Sequence, residues 1–168
     1  MKSITLGILA CAFAVQEQEP PQNAFIGTWK LNLEKSRLQG SPPRDYASFR
    51  KYEDHGGGWM FHTLIFSYVN GAGFIFAAAR YDWKEYPSYA SSSELGAYLA
   101  TGTKPARTVT FKLIDSHTLE FTDRENGKVS SAGVSTVSSD GKVLTETDRL
   151  FDKQGKETSS VVTVYVKQ

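Results

Sequence analysis

Three glycines spaced 14 residues apart constrain this chain more than any other feature. "NGK" places Gly127, "DGK" Gly141 and "QGK" Gly155. Asn-Gly and Asp-Gly favour tight hairpin turns, whose central positions require positive φ. A short turn leaves about ten residues per strand, roughly 33 Å of extended chain. Strands of that length suit an up-and-down barrel better than a sandwich. "VNGAG" (Val69 to Gly73) and "DSH" (Asp115 to His117) supply earlier turns. The predicted strands are Phe25–Asn32, Tyr46–Glu53, Gly58–Val69, Gly73–Trp83, a short one near Lys84–Pro87, Arg107–Ile114, His117–Asp123, Lys128–Ser138, Lys142–Asp152 and Glu157–Lys167. This order predicts an all-β, up-and-down antiparallel β-barrel of about 8–10 strands with one short helix, because closing a meander removes its exposed edges.

Two segments interrupt the strands. "LEKSRLQGSPPR" (Leu33 to Arg44) joins the first two and ends in turn chemistry. "SSSELGAYLATG" (Ser91 to Gly102) is the helix: Ser91 and Glu94 have capping-box spacing, Leu95, Tyr98 and Leu99 form an apolar stripe, and Gly102 suits the stop. So short a helix needs a surface to lie on, at a barrel mouth or against an outer face.

The 168 residues fit one domain, spanning residues 25–168. Nineteen Lys and Arg against 18 Asp and Glu leave no global field for nucleic acid or an anionic membrane. Residues 1–14 have the form of a signal peptide: Lys2, an apolar run, and "AFA" (Ala12 to Ala14) as an A-x-A-like cleavage site. The run is too short to span a bilayer, so no transmembrane segment is expected. "ILAC" also resembles a lipobox with Cys11 as a lipid-anchored terminus. Only ten residues precede it, and plain cleavage fits better. Cys11 is the sole cysteine, so the mature chain would have no disulfide, which suits a secreted or periplasmic bacterial protein. Residues 15–24, with "QEQEPPQN", are expected to form a disordered leader.

With the strands laid out, Gly27-Thr28-Trp29 matches the G-x-W signature of the lipocalins, and "FIGTWKL" resembles the opening strand of fatty-acid-binding proteins. "GTWKLN…KS", "YDWKEYP", "DSHTLEF", "VSSDGKVLT" and "VYVKQ" follow, in order, the pattern of small secreted bacterial lipocalin-like (calycin) proteins. The resemblance implies a barrel that holds a small hydrophobic or amphipathic molecule, with Trp29 packed across its closed end. Two departures matter. Fatty-acid-binding proteins clamp a carboxylate with Arg-x-Tyr in the last strand, where this chain has Thr163 and Tyr165. They also carry their helices between the first two strands, whereas the helix here follows the fifth.

The hairpin Gly58–Trp83 is the richest region for function. Met60, His62, Leu64, Phe66 and Tyr68 share one face of its first strand; Trp59, Phe61, Thr63, Ile65 and Ser67 share the other. Both faces are apolar, so the outer one should be covered, first by the helix and second by a homodimer through residues 58–83. Candidate ligand-binding residues are Trp59, His62, Phe66, Phe76, Arg80 and Tyr165. For His62 a core histidine with a backbone partner is the favoured reading, with a ligand-orienting or acid–base group the other, and for Arg80 a snorkelling rim arginine is favoured over an anchor. In Lys142–Asp152, Glu146 and Asp148 share a face. A solvated outer face is the favoured reading, and acid–base work inside the barrel the other.

No G-x-S-x-G elbow, P-loop or H-E-x-x-H occurs, and His55 and His117 are dispersed. No cofactor and no metal are expected. The leading reading is a secreted carrier of a small lipophilic molecule. The alternative is a lipocalin-fold isomerase, cyclase or hydrolase using His62, Arg80 and Tyr81 as catalytic groups.

Overall fold

The computed structural model describes residues 23–40, 42, 46–68 and 71–168. The expected signal peptide and most of the expected leader lie outside them, as do residues 69 and 70 of the "VNGAG" turn. The strands are β1 (Gly27–Leu31), β2 (Ala47–Asp54), β3 (Met60–Tyr68), β4 (Gly71–Ala79), β5 (Tyr86–Tyr89), β6 (Arg107–Asp115), β7 (Thr118–Glu125), β8 (Lys128–Val137), β9 (Val143–Phe151) and β10 (Glu157–Lys167). They form one closed antiparallel barrel in sequence order, with β1 pairing β10 to shut it. The three spaced turns all place their glycine at positive φ, but only "NG" does so at both centres, with Asn126 at 52° and Gly127 at 76°.

The strand expected to run from Gly73 to Trp83 stops at Ala79. Residues 80–85 form a loop pinned by the Trp83 amide to Phe111 O at 2.9 Å and by Tyr86 Oη donating to Asp82 at 3.0 Å. Asn23 and Ala24, expected in a disordered leader, are part of the fold. The Ala24 amide donates to Ser116 O at 3.0 Å, and the Asn23 side chain accepts from the Phe25 amide at 3.1 Å.

Meander topology sends the β1–β2, β3–β4, β7–β8 and β9–β10 connections to one end, the mouth. The opposite end is sealed. Phe25 and Trp29 are both 0% exposed there and pack with Met60, Leu119, Val137, Leu144 and Tyr165. The Trp29 indole donates to Phe25 O at 2.7 Å, so the buried ring leaves no orphan donor. Gly27 explains the G-x-W spacing. Its φ is 133°, and a Cβ there would lie 2.9 Å from Lys167 Cε. The Lys167 chain crosses this gap to hold its ammonium 5.0 Å from the Trp29 ring centroid.

Helix α1 (Ser92–Thr101) has the expected caps: Ser91 Oγ accepts from the Glu94 amide at 3.2 Å, and Gly102 ends it at φ 71°. It connects β5 to β6 at the mouth and packs on β5 through Tyr98, 5.6 Å from Tyr89. It does not cover the hairpin as expected. Ile65 on the outer row of β3 is 48% exposed, and Leu99 on the helix 75%.

Candidate functional site

Ladder register decides which side chains reach the lumen. His62 pairs with Tyr52 and Ala77, Leu64 with Arg50 and Ile75, and Asp148 with Gly133 and Val161. The inward rows enclose a cavity of about 230 Å³. Leu64, Ile75, Ala77, Val109, Phe111 and Phe121 line its apolar side. Its polar groups include Arg50, His62, Arg107, Asp123, Arg124, Ser135, Glu146 and Asp148, with Lys51 also on the lining. Large apolar area with a few convergent polar groups is the usual composition of a small-molecule site.

The polar groups form a connected wall. Arg50 of β2 makes a short ion pair with Glu146 of β9, which is only 2% exposed. Ser135 Oγ donates to the other Glu146 oxygen at 3.0 Å. The Arg50 guanidinium also lies over the Tyr165 ring, 5.4 Å from its centroid. Next along β9, Asp148 is pushed up to about 8 by burial and then by the neighbouring Glu146 charge. Across β8, burial also raises Asp123, although Ser131 Oγ donates to it at 3.0 Å. Gly133 makes this crowding feasible. A Cβ there would meet Phe121 Cζ at 2.8 Å and Asp148 Oδ1 at 2.9 Å, so both side chains lean into the space a larger residue would fill.

His62 lies deeper, stacked on Phe111 with centroids 4.0 Å apart and planes 9° from parallel. Tyr52 meets it edge-on at 4.8 Å and Tyr81 at 5.6 Å. Burial, followed by the Arg50 charge, lowers His62 to about 3, so the ring is neutral at physiological pH. Burial raises the Tyr81 phenol, which stays protonated. His62 Nε2, Arg50 Nε and Asp148 Oδ1 are buried without a hydrogen-bond partner among the described residues. Such groups are costly unless something in the lumen engages them.

The residues singled out from sequence divide cleanly. His62 lines the cavity, and Tyr165 lies beside it under Arg50. Phe66 is on the inward row near the mouth, its ring folded across Gly73. Phe76 pairs with Thr63 and meets Phe61 edge-on at 5.4 Å, so it stands on the outer face and not in the lumen. Trp59 and Arg80 stack on each other outside, the guanidinium 4.8 Å from the indole centroid. Of the proposed acid–base trio, His62 and Tyr81 come together and Arg80 does not.

The Glu146–Asp148 row, favoured as a solvated outer face, points inward; this is the largest correction. Register carries the reason: Leu144 pairs with the buried Tyr165, so alternate residues from Leu144 onward share its side. Sequence reasoning also missed Arg50 and Asp123. Following the inward parity of Tyr165 through β9 would have found Glu146, whereas nothing local marks Arg50 over Lys51. Position 163 carries no cation, and the guanidinium over Tyr165 comes from Arg50 of β2. Among the described residues, no group of three or more His, Cys, Asp or Glu is placed to hold a metal ion. No described helix is long and apolar enough to cross a membrane.

No protein-family model matches the chain, and no curated protein matches it in sequence. Solved structures match its shape. Wild-type fluorescent protein UnaG superposes with a TM-score of 0.55 at 14% identity, covering 86% of this chain and 97% of that one. A Schistosoma mansoni fatty acid binding protein in complex with arachidonic acid gives 0.52 at 10% identity, covering 88% and 98%. Echinococcus granulosus fatty-acid-binding protein 1 gives 0.50 at 14% identity, covering 86% and 97%. At these identities the likeness establishes the fold alone: a closed ten-stranded antiparallel up-and-down β-barrel, similar in shape to fatty-acid-binding proteins.

Proposed function

We propose that this chain is a binding protein that holds a small hydrophobic or amphipathic molecule in its lumen. The observation that carries this reading is the cavity of about 230 Å³, apolar on one side and polar on the other. That volume is just below the ~300–1,000 Å³ of ordinary ligand pockets, so the occupant is small or keeps part of itself at the mouth. Contact with Leu64, Ile75, Val109, Phe111 and Phe121 would contribute roughly 25 cal/mol per Å² of apolar surface removed from water. The polar wall would fix orientation. The arachidonic acid bound to the Schistosoma mansoni neighbour supports a lipophilic occupant. Filling the lumen tests the reading. Ala77→Trp should weaken binding of a fluorescent lipophilic probe at least tenfold in a protein that still folds. Unchanged binding would move the site out of the lumen.

One observation favours an enzyme as second reading. Asp148, held protonated up to about 8, and the Glu146 carboxylate share one cavity, a donor beside an acceptor. Turnover of a lipophilic substrate that disappears in Asp148→Asn is the result that would establish it.

Export and self-association belong to the same proposal. Lys2, the apolar run and Ala12 to Ala14 support a secreted or periplasmic protein, tested by N-terminal sequencing of the mature form. The open outer row at Ile65 supports a homodimer through β3–β4, tested by sedimentation.

A further inference from the structure

The size and walls of the lumen limit what it can hold. A dry cavity of about 150 Å³ takes one benzene ring, roughly 25 Å³ per carbon. At that ratio the cavity of about 230 Å³ takes about nine ring atoms, the size of two fused rings. A long alkyl chain would leave much of its length at the mouth. The walls are also flat. His62 and Phe111 stack within 9° of parallel, and Tyr52 and Tyr81 brace that stack edge-on. Phe121 reaches across to β8 and lies against its backbone, its Cζ 2.8 Å from where a Cβ on Gly133 would stand. Barrel order sets β8 opposite β3, and beside β3 the small Ala77 of β4 leaves room in the facing wall.

Charge gives no preference for either sign of ligand. Each Lys or Arg on the lining pairs with a carboxylate: Arg50 with Glu146, Lys51 with Glu53, Arg107 with Glu125 and Arg124 with Glu85. Hydrogen bonding is more selective. Arg50 Nε is a buried donor without a partner among the described residues, as is Arg124 Nη1. Asp148 Oδ1 is a buried oxygen in the same condition, able to accept. The neutral His62 ring adds Nε2, which donates or accepts according to its tautomer. Small side-chain rotations would bring Arg50 Nε and Asp148 Oδ1 to the edge of a flat ring. Ring nitrogens there, one bearing a proton and one a lone pair, would answer both.

We propose that the lumen takes a compact, planar heteroaromatic molecule of one or two fused rings, seated against Phe111 and Phe121 with its ring nitrogens toward Arg50 and Asp148. This rests on the lumenal-binding reading and narrows it from lipophilic molecules in general to flat ones with a polar edge. A rigid ring has no rotamers to lose on entry, whereas an alkyl chain must be ordered bond by bond. Contact between rings adds an attraction, through their quadrupoles, that an alkyl chain lacks. Phe121 is then the residue that selects shape, and it depends on Gly133 for its place. The barrel shares its outline with the fatty-acid-binding proteins, and its interior suits a shorter, flatter occupant.

Three probes of equal heavy-atom count separate the possibilities by NMR titration of the whole chain: indazole, its all-carbon analogue indene, and octanol. Indene should bind about fivefold more tightly than octanol, because the two are similarly apolar and differ in shape. Indazole should bind about threefold more tightly again, because its two nitrogens meet the polar wall. Phe121→Leu should bring indene down to the affinity of octanol and leave octanol unchanged. Asp148→Leu should bring indazole down to indene and leave indene unchanged, with circular dichroism checking that both barrels are intact. Octanol binding wild-type protein as tightly as indene overturns the planar ring and leaves lumenal binding standing. Indene binding as tightly as indazole overturns the polar edge. Failure of all three probes to shift lumenal resonances overturns lumenal binding itself.

Discussion

The two ends of this barrel solve opposite problems with the same alternating strands. At the sealed end, Phe25, Met60, Leu119, Val137 and Leu144 are apolar, and Trp29 has its one polar atom satisfied at short range. On the wall beside the cavity, the strands turn Arg50, Asp123, Glu146 and Asp148 inward and leave Arg50 Nε and Asp148 Oδ1 without hydrogen-bond partners among the described residues. The first arrangement is what a core needs. The second is what a core avoids, and a chain keeps it where something else completes it. The satisfied core and the incompletely satisfied polar wall are therefore segregated along the barrel axis.

Three substitutions sharpen that division. Trp29→Ala should be the most damaging, removing a fully buried ring at a cost of about 3–5 kcal/mol in urea denaturation. Arg50→Met should come close behind, because it leaves Glu146 buried and unpaired at a cost of ~3–5 kcal/mol. Adding Glu146→Leu to Arg50→Met should restore most of that loss, and no second substitution should rescue Trp29→Ala. If the double variant is as unstable as the single, the ion pair is part of the core and the division fails.

The smallest effect is in the pH profile. Asp148 has a folded pKa of about 8, above the ~3.9 of an unfolded aspartate. Between those values the folded state holds more protons, so stability falls as pH rises from about 4 to 8 and is level above. His62 acts oppositely. Its folded value of about 3 lies below the ~6.5 of an unfolded histidine, so stability is lost as pH falls from 6.5 toward 3. The two should nearly cancel between pH 4 and 6.5, leaving a decline from 6.5 to 8 that belongs to Asp148. Asp148→Asn should remove that decline and raise stability at pH 8 by on the order of 1–3 kcal/mol. His62→Gln should extend the decline down to pH 4. A flat wild-type profile from 6.5 to 8 would contradict the raised Asp148.

The fold was legible because its signals are local. Turn glycines at 127, 141 and 155, alternation within strands and the Ser91–Gly102 capping chemistry are each set by neighbours in sequence. The site was harder to read because it depends on parity. A strand such as "KVLTETDRLF" offers two mixed faces of similar polarity, and only pairing with the buried Tyr165 selects Glu146 and Asp148. The same ambiguity hid Arg50, which alternates with Lys51. In the β3–β4 hairpin the reverse error arose. Its aromatics drew attention to Trp59, Phe76 and Arg80, which stack among themselves outside the lumen.

The Arg50–Glu146 pair joins residues 96 positions apart in the chain. Hairpins such as β3–β4 and β7–β8 can form from near neighbours, but this contact must wait until β1 is seated between β2 and β10. Loop-closure entropy makes that seam a late event in folding. The charged wall therefore does not exist in a partly assembled barrel, and a molecule spanning β2 and β9 would act as a clasp on the seam. Its dissociation and the first step of unfolding would then share a barrier, so that the occupied protein is kinetically long-lived even where its equilibrium stability is ordinary.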